Sequence, residues 1–146
     1  MAHISVLLNE AVEGLNIKAG DIILDGTFGG GGHSILICKK IGKTGTLVAI
    51  DADIEAVARA EKKSWSCKFE LVVDNFRNLD KVLEEKGIEK IDGALFDLGL
   101  SSFQLDESGR GFSFQRDEPL RMTFYKSENG YGNSDNLTAE EILNNW

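Results

Sequence analysis

The chain has 146 residues, of which 42% are hydrophobic, and this size suits one globular domain with a buried core. Its 16 basic and 24 acidic residues give a net charge of −8, which excludes a global attraction to nucleic acid or to an anionic membrane. Any nucleic-acid contact must therefore be local. The first residues carry no basic cluster, and Asn9, Glu10 and Glu13 interrupt the apolar ones, so we expect no signal peptide, no membrane span and a cytoplasmic location.

The predicted elements begin with a helix and continue as an alternation of strands and helices. Apolar residues near helical spacing predict a short amphipathic helix before residue 19. Four apolar runs have the length of buried strands and cover residues 21–24, 46–50, 69–73 and 93–96. Helical patterns lie between them over residues 34–41, 54–61 and 79–87. This order predicts an α/β fold with a parallel sheet and flanking helices, in which the fourth strand lies at an edge.

The alternation stops near residue 98. About forty residues rich in Ser, Gly, Asp and Asn follow without periodicity, which is typical of a functional or disordered loop. Thr138 and Glu141 then form a capping-box pattern that predicts the start of a helix. We therefore divide the chain into a helical segment (1–20), an α/β core (21–97), a long active-site or substrate loop (98–136) and a helix start (137–146). An exposed apolar edge strand also makes a homodimer one hypothesis.

The cysteines give no sign of a metal centre. Cys38 and Cys67 lie far apart and lack the spacing of metal ligands. We expect both to be reduced thiols, as in cytosolic proteins, and we predict no metal site.

Four consecutive glycines follow the first predicted strand, in the segment DGTFGGGGHS over residues 25–34. A glycine-rich turn before a helix lets a ligand approach the backbone N–H groups. The spacing does not fit a dinucleotide fingerprint, because Ser34 stands where the third glycine belongs. It does not fit a P-loop either, because His33 replaces the lysine. A turn required only by tight strand–helix packing remains the alternative.

Asp51 ends the second predicted strand, about twenty residues after the glycine turn. An acid at this place can accept hydrogen bonds from both hydroxyl groups of a ribose. It could instead cap the next helix, but Asp53 is at least as well placed for that role. A nucleoside bound without phosphates indicates S-adenosylmethionine.

Several motifs, in order along the whole chain, resemble one family. They are HISVLLNE (3–10), DGTFGGGGHS (25–34), VVDNF (72–76), LFDLGLSSFQLD (95–106), GRGFSF (109–114) and LTAEEILNNW (137–146). The set resembles the small-subunit ribosomal RNA (cytosine N4)-methyltransferases, also called MraW. The resemblance implies a Rossmann-like class I methyltransferase fold and transfer of a methyl group from S-adenosylmethionine to a cytosine of 16S ribosomal RNA in the small ribosomal subunit.

The resemblance also implies a set of site residues. The cofactor contacts of the family correspond to Gly31, Gly32, His33, Asp51, Phe76, Asp97 and Gln104. Asp97, Ser101 and Ser102 lie where amino-methyltransferases keep an acceptor for the reacting N–H, which makes them the candidate catalytic residues. For Phe76 the alternative is an ordinary core aromatic, and for His33 a capping or packing residue.

The loop after the fourth strand combines cations and aromatic rings, which suit phosphate contact and base stacking respectively. Its candidate RNA-binding residues are Arg110, Phe112, Phe114 and Arg116. A lid that only closes over the cofactor is the alternative role.

The resemblance also implies a longer protein, since members of the family that these motifs resemble continue well beyond 146 residues. The resemblance thus implies a sheet that is incomplete at its C-terminal side, in a front portion or a shortened form. Two further hypotheses stay open: a cofactor-binding module without catalysis, and a methyltransferase for a small molecule.

Overall fold

The computed structural model describes residues 5–101, 104–105, 109–119, 122–124, 126–127, 130–131 and 143–144. The chain forms two compact units, Met1–Leu98 and Gly99–Trp146. The first unit carries the α/β core.

Strands and helices alternate in the first unit as the sequence predicts. The strands are β1 (Ile22–Asp25), β2 (Thr46–Asp51), β3 (Lys68–Val73) and β4 (Gly93–Leu95). The helices are α1 (Leu8–Gly14), α2 (Gly32–Ile41), α3 (Glu55–Glu61) and α4 (Leu79–Glu85), with a 3₁₀ turn at Phe76–Asn78. Each element predicted for residues 1–97 is present, so the α/β prediction is confirmed.

All four strands are parallel, in the order β3-β2-β1-β4. In the register, Asp25 at the end of β1 lies beside both Ala49 and Leu95, and Asp51 at the end of β2 lies beside Val73. The predicted edge position of the fourth strand is confirmed. Because the strands run in one direction, the segments that follow them emerge at one edge of the sheet, where open parallel sheets bind ligands.

The central strands are buried on both faces, as is usual for a parallel sheet covered by helices. On one face, Ile23 and Leu47 pack with Val12, Ile37 and Ile41 of α1 and α2. On the other, a second cluster consists of Leu24, Val48, Ile50 and Val82. Each such side chain contributes about 1.5–3 kcal/mol by leaving water. This two-sided core fixes the strand ends from which the candidate site is built.

The prediction that the two cysteines are reduced thiols is wrong. Cys38 and Cys67 form a disulfide, with Cα atoms 5.1 Å apart. Both residues belong to the cluster beneath α2, although 29 positions separate them in the sequence. Sequence spacing does not reveal this proximity, because it arises from α2 packing near the start of β3. The cytoplasmic prediction therefore has no support from cysteine chemistry.

The second unit contains a short antiparallel pair, β5 (Lys126–Ser127) and β6 (Gly130–Tyr131), inside the segment that the sequence predicts as a loop. Leu143 and Asn144 are helical, and the rest of the predicted helix over 137–146 lies outside the described residues. Across the described residues of both units, no helix has the length and hydrophobicity that a membrane crossing requires.

Candidate functional site

The glycine turn has a backbone shape that glycine adopts readily. Gly29 and Gly31 have φ angles of +51° and +73°, in the left-handed region, and α2 begins directly afterwards at Gly32. The turn is closed by the Gly31 N–H, which donates to the Phe28 carbonyl at 2.7 Å. A Cβ atom on Gly31 would lie 2.8 Å from Cζ of Phe28, so tight packing explains part of this motif. The turn leads into the first turn of α2, where N–H groups point away from the helix.

Asp51 connects the end of β2 to this turn. Its Oδ2 accepts a hydrogen bond from the Gly29 N–H at 2.7 Å, and its Oδ1 accepts one from the Asp53 N–H at 2.9 Å. Asp53 in turn accepts from the N–H of Glu55, the first residue of α3, at 3.0 Å, so Asp53 and not Asp51 bonds to the start of this helix. Burial raises the pKa of Asp51, although the two backbone donors and the Arg59 guanidinium act in the opposite direction. Each carboxylate oxygen keeps a second lone pair for a ligand hydroxyl.

Asp25 is a buried acid beside the glycine turn that was not among the predicted site residues. It is fully buried, and its Oδ2 accepts from the Ser34 hydroxyl at 2.6 Å while its Oδ1 accepts from the Thr27 N–H at 3.1 Å. Burial raises the pKa of this carboxyl. The Thr27 hydroxyl oxygen accepts from the Asp97 N–H at 2.7 Å. A polar chain thus links the end of β1 to the segment after β4. The sequence feature that could have indicated Asp25 is the position of an acid directly before the glycine turn.

His33 and Asp97 lie together in the first unit. Nδ1 of His33 is 3.8 Å from Oδ2 of Asp97, and their side chains are 7% and 51% exposed respectively. Nε2 of His33 is buried and has no hydrogen-bond partner among the described residues. Buried polar atoms of proteins are nearly always hydrogen-bonded, so an atom of this kind marks a place where a ligand can supply the partner.

Phe76 follows β3 and lies against Phe96, which follows β4. The two rings make an edge-to-face pair with centroids 5.6 Å apart. They are 39% and 41% exposed, so Phe76 is not a buried core aromatic. Aromatic pairs that remain open to solvent offer a face on which a planar ring can pack. Phe96 was not predicted as a site residue, and only its position beside Asp97 could have indicated it.

Ser101 and Gln104 belong to the second unit, where they bond to each other. The Ser101 N–H donates to Oε1 of Gln104 at 2.8 Å, and the Gln104 N–H donates to Oγ of Ser101 at 3.2 Å. This reciprocal pattern is a capping box, which the sequence shows as Ser-x-x-Gln. The catalytic role of Ser101 and the cofactor role of Gln104 stay predictions. Ser102 lies outside the described residues.

The four candidate RNA-binding residues differ in exposure. Arg110 is only 1% exposed, and Phe112 stacks on Phe124 with centroids 5.3 Å apart. Phe114 is 98% exposed and the Arg116 side chain 54% exposed. Burial removes the Arg110 guanidinium from the surface, so we do not carry forward its prediction as a phosphate contact. The sequence motif could not separate the buried from the exposed positions.

Comparisons with known proteins agree with the motif pattern. The family model described as the MraW methylase family matches residues 1–146. The relatives include two proteins called ribosomal RNA small subunit methyltransferase H, from Clostridium botulinum (strain Okra / Type B1; 46% identity over 97% of this chain and 47% of the relative) and from Shewanella loihica (50% over 87% and 41%). A third, ribosomal RNA small subunit methyltransferase H 1 of Acholeplasma laidlawii, is 48% identical over 100% of this chain and 46% of its own length.

The chain spans about half the length of the curated relatives it matches. A solved structure from Clostridium thermocellum overlaps 55% of this chain and 48% of its own, with 24% identity and a TM-score of 0.48, and adds nothing to the assignment. The assignment depends on the model match over the full length and on identities near 46%. The chain belongs to the MraW methylase family.

Proposed function

We propose that this chain forms the S-adenosylmethionine-binding part of a ribosomal RNA methyltransferase that acts on the N4 amino group of a cytosine in 16S ribosomal RNA. The observation that carries the proposal is the buried Nε2 of His33, which has no hydrogen-bond partner in the part of the chain that the structure describes; it lies beside the glycine turn, at the sheet edge that also holds Asp51 and Asp97. The names of the relatives support a substrate in the small ribosomal subunit.

The residues at this edge fit the chemistry of S-adenosylmethionine. A ribose diol needs acceptors, which the Asp51 carboxylate offers, and an adenine ring needs an open aromatic face, which Phe76 offers. Gly31, Gly32 and His33 provide the backbone of the turn and one buried ring nitrogen. The glycine turn lacks both the lysine of a P-loop and the glycine spacing of a dinucleotide site. This sequence suits a cofactor without phosphates.

Asp97 is the residue we assign to the reacting amino group. When bound, S-adenosylmethionine supplies an electrophilic methyl group. The lone pair of the cytosine amino nitrogen is delocalised into the ring, and a carboxylate that accepts a hydrogen bond from the N–H helps to localise it. Asp97 is half exposed, its backbone is held by Thr27, and it can take the proton that the amino group releases. Positioning of the two reactants supplies most of the rate enhancement.

The RNA contact must be local, since the net charge of the chain is −8. Phe114 and Arg116 offer an exposed ring and an exposed cation for a base that has left its stack.

A substrate in the ribosome also supports a cytoplasmic location. Within the part of the chain that the structure describes, β4 pairs only with β1, so pairing of two copies along β4 is a further proposal, and a strictly monomeric chain in light scattering would refute it.

A second candidate is a binding module that holds S-adenosylmethionine without catalysis. The residues described above account for cofactor binding, whereas methyl transfer by these 146 residues, which match 47% of the Clostridium botulinum relative, is a separate proposal. The two candidates share the cofactor site and differ only in methyl transfer.

Transfer of radiolabelled methyl groups from S-adenosylmethionine to small ribosomal subunits that lack the modification separates these candidates. We expect transfer by the unaltered chain and a loss of about 100-fold or more in kcat for Asp97→Asn. Asp80→Asn, which alters an exposed acid on α4, is the matched control and should transfer normally. Cofactor binding without transfer would favour the binding module. Absence of both would refute the proposed function.

A further inference from the structure

We infer that Arg59 is a positioning residue that clamps Gly29 against Asp51 and so fixes the glycine turn in the shape that the cofactor requires. The inference rests on the proposed function, because the cofactor is the ligand of that turn. Arg59 lies on α3, outside the motifs that carry the family resemblance.

Both backbone polar groups of Gly29 are held by side chains from the β2–α3 region. Nε of Arg59 donates to the Gly29 carbonyl at 2.9 Å, while the Gly29 N–H donates to Asp51 at 2.7 Å. Glycine has more backbone freedom than any other residue. A Cβ placed on Gly29 would meet no described atom closer than the Thr27 carbonyl at 3.8 Å, so side-chain packing does not restrain this residue. The two hydrogen bonds therefore supply much of its restraint.

Asp53 links Arg59 back to Asp51. The fully buried carboxylate of Asp53 lies 3.7 Å from Nη2 of Arg59 and also accepts from the Glu55 N–H at 3.0 Å. Its own N–H donates to Asp51. A closed circuit thus runs from Asp51 through Gly29, Arg59 and Asp53 back to Asp51. The Arg59 side chain is 21% exposed, so water screens these contacts only in part.

The charges in this circuit also affect the ionisation of Asp51. Arg59 lowers the pKa of Asp51, whereas burial and the neighbouring Asp53 raise it. Asp25 also interacts electrostatically with Asp51 and with His33. Loss of the Arg59 charge should raise the pKa of Asp51 further. A ribose diol is bound best by an ionised acceptor, so cofactor binding weakens as pH falls and Asp51 becomes protonated. With a raised pKa of Asp51, this loss of binding should begin at a higher pH.

The test uses the whole 146-residue chain with Arg59→Gln, Arg59→Lys and the matched control Lys62→Gln. Lys62 is an exposed residue at the end of the same helix, so its replacement removes the same charge without touching Gly29. Hydrogen exchange of the Gly29 amide is measured first, without ligand. We expect it to become about tenfold faster or more in Arg59→Gln, because one charged hydrogen bond is lost, and to stay unchanged in Lys62→Gln.

Calorimetric titration of S-adenosylhomocysteine from pH 4.5 to 8 then tests the consequence. We expect affinity to fall about tenfold or more in Arg59→Gln at pH 7, with its acid midpoint at higher pH than in the unaltered chain. Arg59→Lys keeps the positive charge but loses the several N–H donors of the guanidinium. It should therefore restore the pH midpoint of binding but only part of the affinity. If Arg59→Gln does not fold, Arg59→Lys provides the test of affinity in its place.

The outcomes separate this inference from the proposed function. If the unaltered chain binds S-adenosylhomocysteine and both Arg59 variants bind it equally well at every pH, Arg59 does not position the site. Unchanged Gly29 exchange in Arg59→Gln would overturn the clamp itself. If the unaltered chain binds no ligand, the proposed cofactor site is refuted and this inference falls with it.

Discussion

Alanine at Gly31 should destabilise the chain more than alanine at Gly87. Gly31 has φ +73° and ψ +19°, and Gly87 has φ +66° and ends α4 with the hydrogen bonds of a left-handed glycine cap, so both replacements carry a similar backbone cost of about 1–2 kcal/mol. They differ in surroundings. At Gly87 no described atom lies within 4 Å of the new Cβ, whereas at Gly31 the Cβ meets the ring of Phe28 at 2.8 Å. Phe28 is buried against Trp65 and Phe69, so its ring cannot move aside freely. Overpacking of this kind adds about 1–3 kcal/mol.

Urea unfolding followed by circular dichroism measures both free energies of unfolding. We expect Gly87→Ala to cost about 1 kcal/mol and Gly31→Ala about 3 kcal/mol, with unchanged m-values. Comparison of the two variants cancels the backbone term and isolates the packing term. Equal costs for the two replacements would refute the reasoning, because they would show that the Phe28 ring does not restrict this turn.

Three other predictions concern a buried acid, the disulfide and a surface ion pair. Burial raises the pKa of Asp25 above its ordinary value of 3.8, so its ionisation destabilises the folded chain as pH rises through the folded pKa. The unfolding free energy of the unaltered chain minus that of Asp25→Asn should therefore decrease from pH 4 to 8. Reduction of the Cys38–Cys67 disulfide, which closes a loop of 29 residues, should lower the unfolding free energy by about 3.5 kcal/mol. Both cysteines should also resist alkylation in denaturant without reductant. Lys86→Ala should cost less than about 1 kcal/mol, because its partner Glu70 is 48% exposed and water screens the pair.

Each prediction has a contradicting result. If the difference in unfolding free energy between the unaltered chain and Asp25→Asn does not change with pH, ionisation of Asp25 does not destabilise the folded chain. Alkylation of both cysteines without reductant, read by intact mass, would exclude the disulfide. A cost of several kcal/mol for Lys86→Ala in urea unfolding would mean that this pair lies in a drier environment than its exposure indicates.

The sequence predicts the fold well because the relevant signals are local. Runs such as residues 46–50 are apolar without interruption, as strands buried on both faces must be, and glycines punctuate the helices between them. The position of Asp51 at the end of a strand is likewise visible in one segment. Register and strand order then bring it beside the glycine turn without further information.

The remaining features depend on distances between segments that no local pattern encodes. Arg59 reaches Gly29 across 30 positions, and Cys38 reaches Cys67 across 29. The burial of Arg110 beside an exposed Phe114 is invisible in a motif that contains both. The capping box of Ser101 and Gln104 is local and its Ser-x-x-Gln pattern is visible in the sequence, whereas the roles that the family resemblance implies for these residues depend on a ligand.

The most direct test of the cofactor site is calorimetric titration of S-adenosylmethionine and S-adenosylhomocysteine into the chain, with Asp51→Ala measured in parallel. A site of the kind described here should bind both ligands with a Kd in the micromolar range or tighter, and Asp51→Ala should abolish binding while the chain stays folded by circular dichroism. No detectable heat at millimolar ligand, or equal affinity in Asp51→Ala, would contradict the assignment of the glycine turn and Asp51 to an S-adenosylmethionine site.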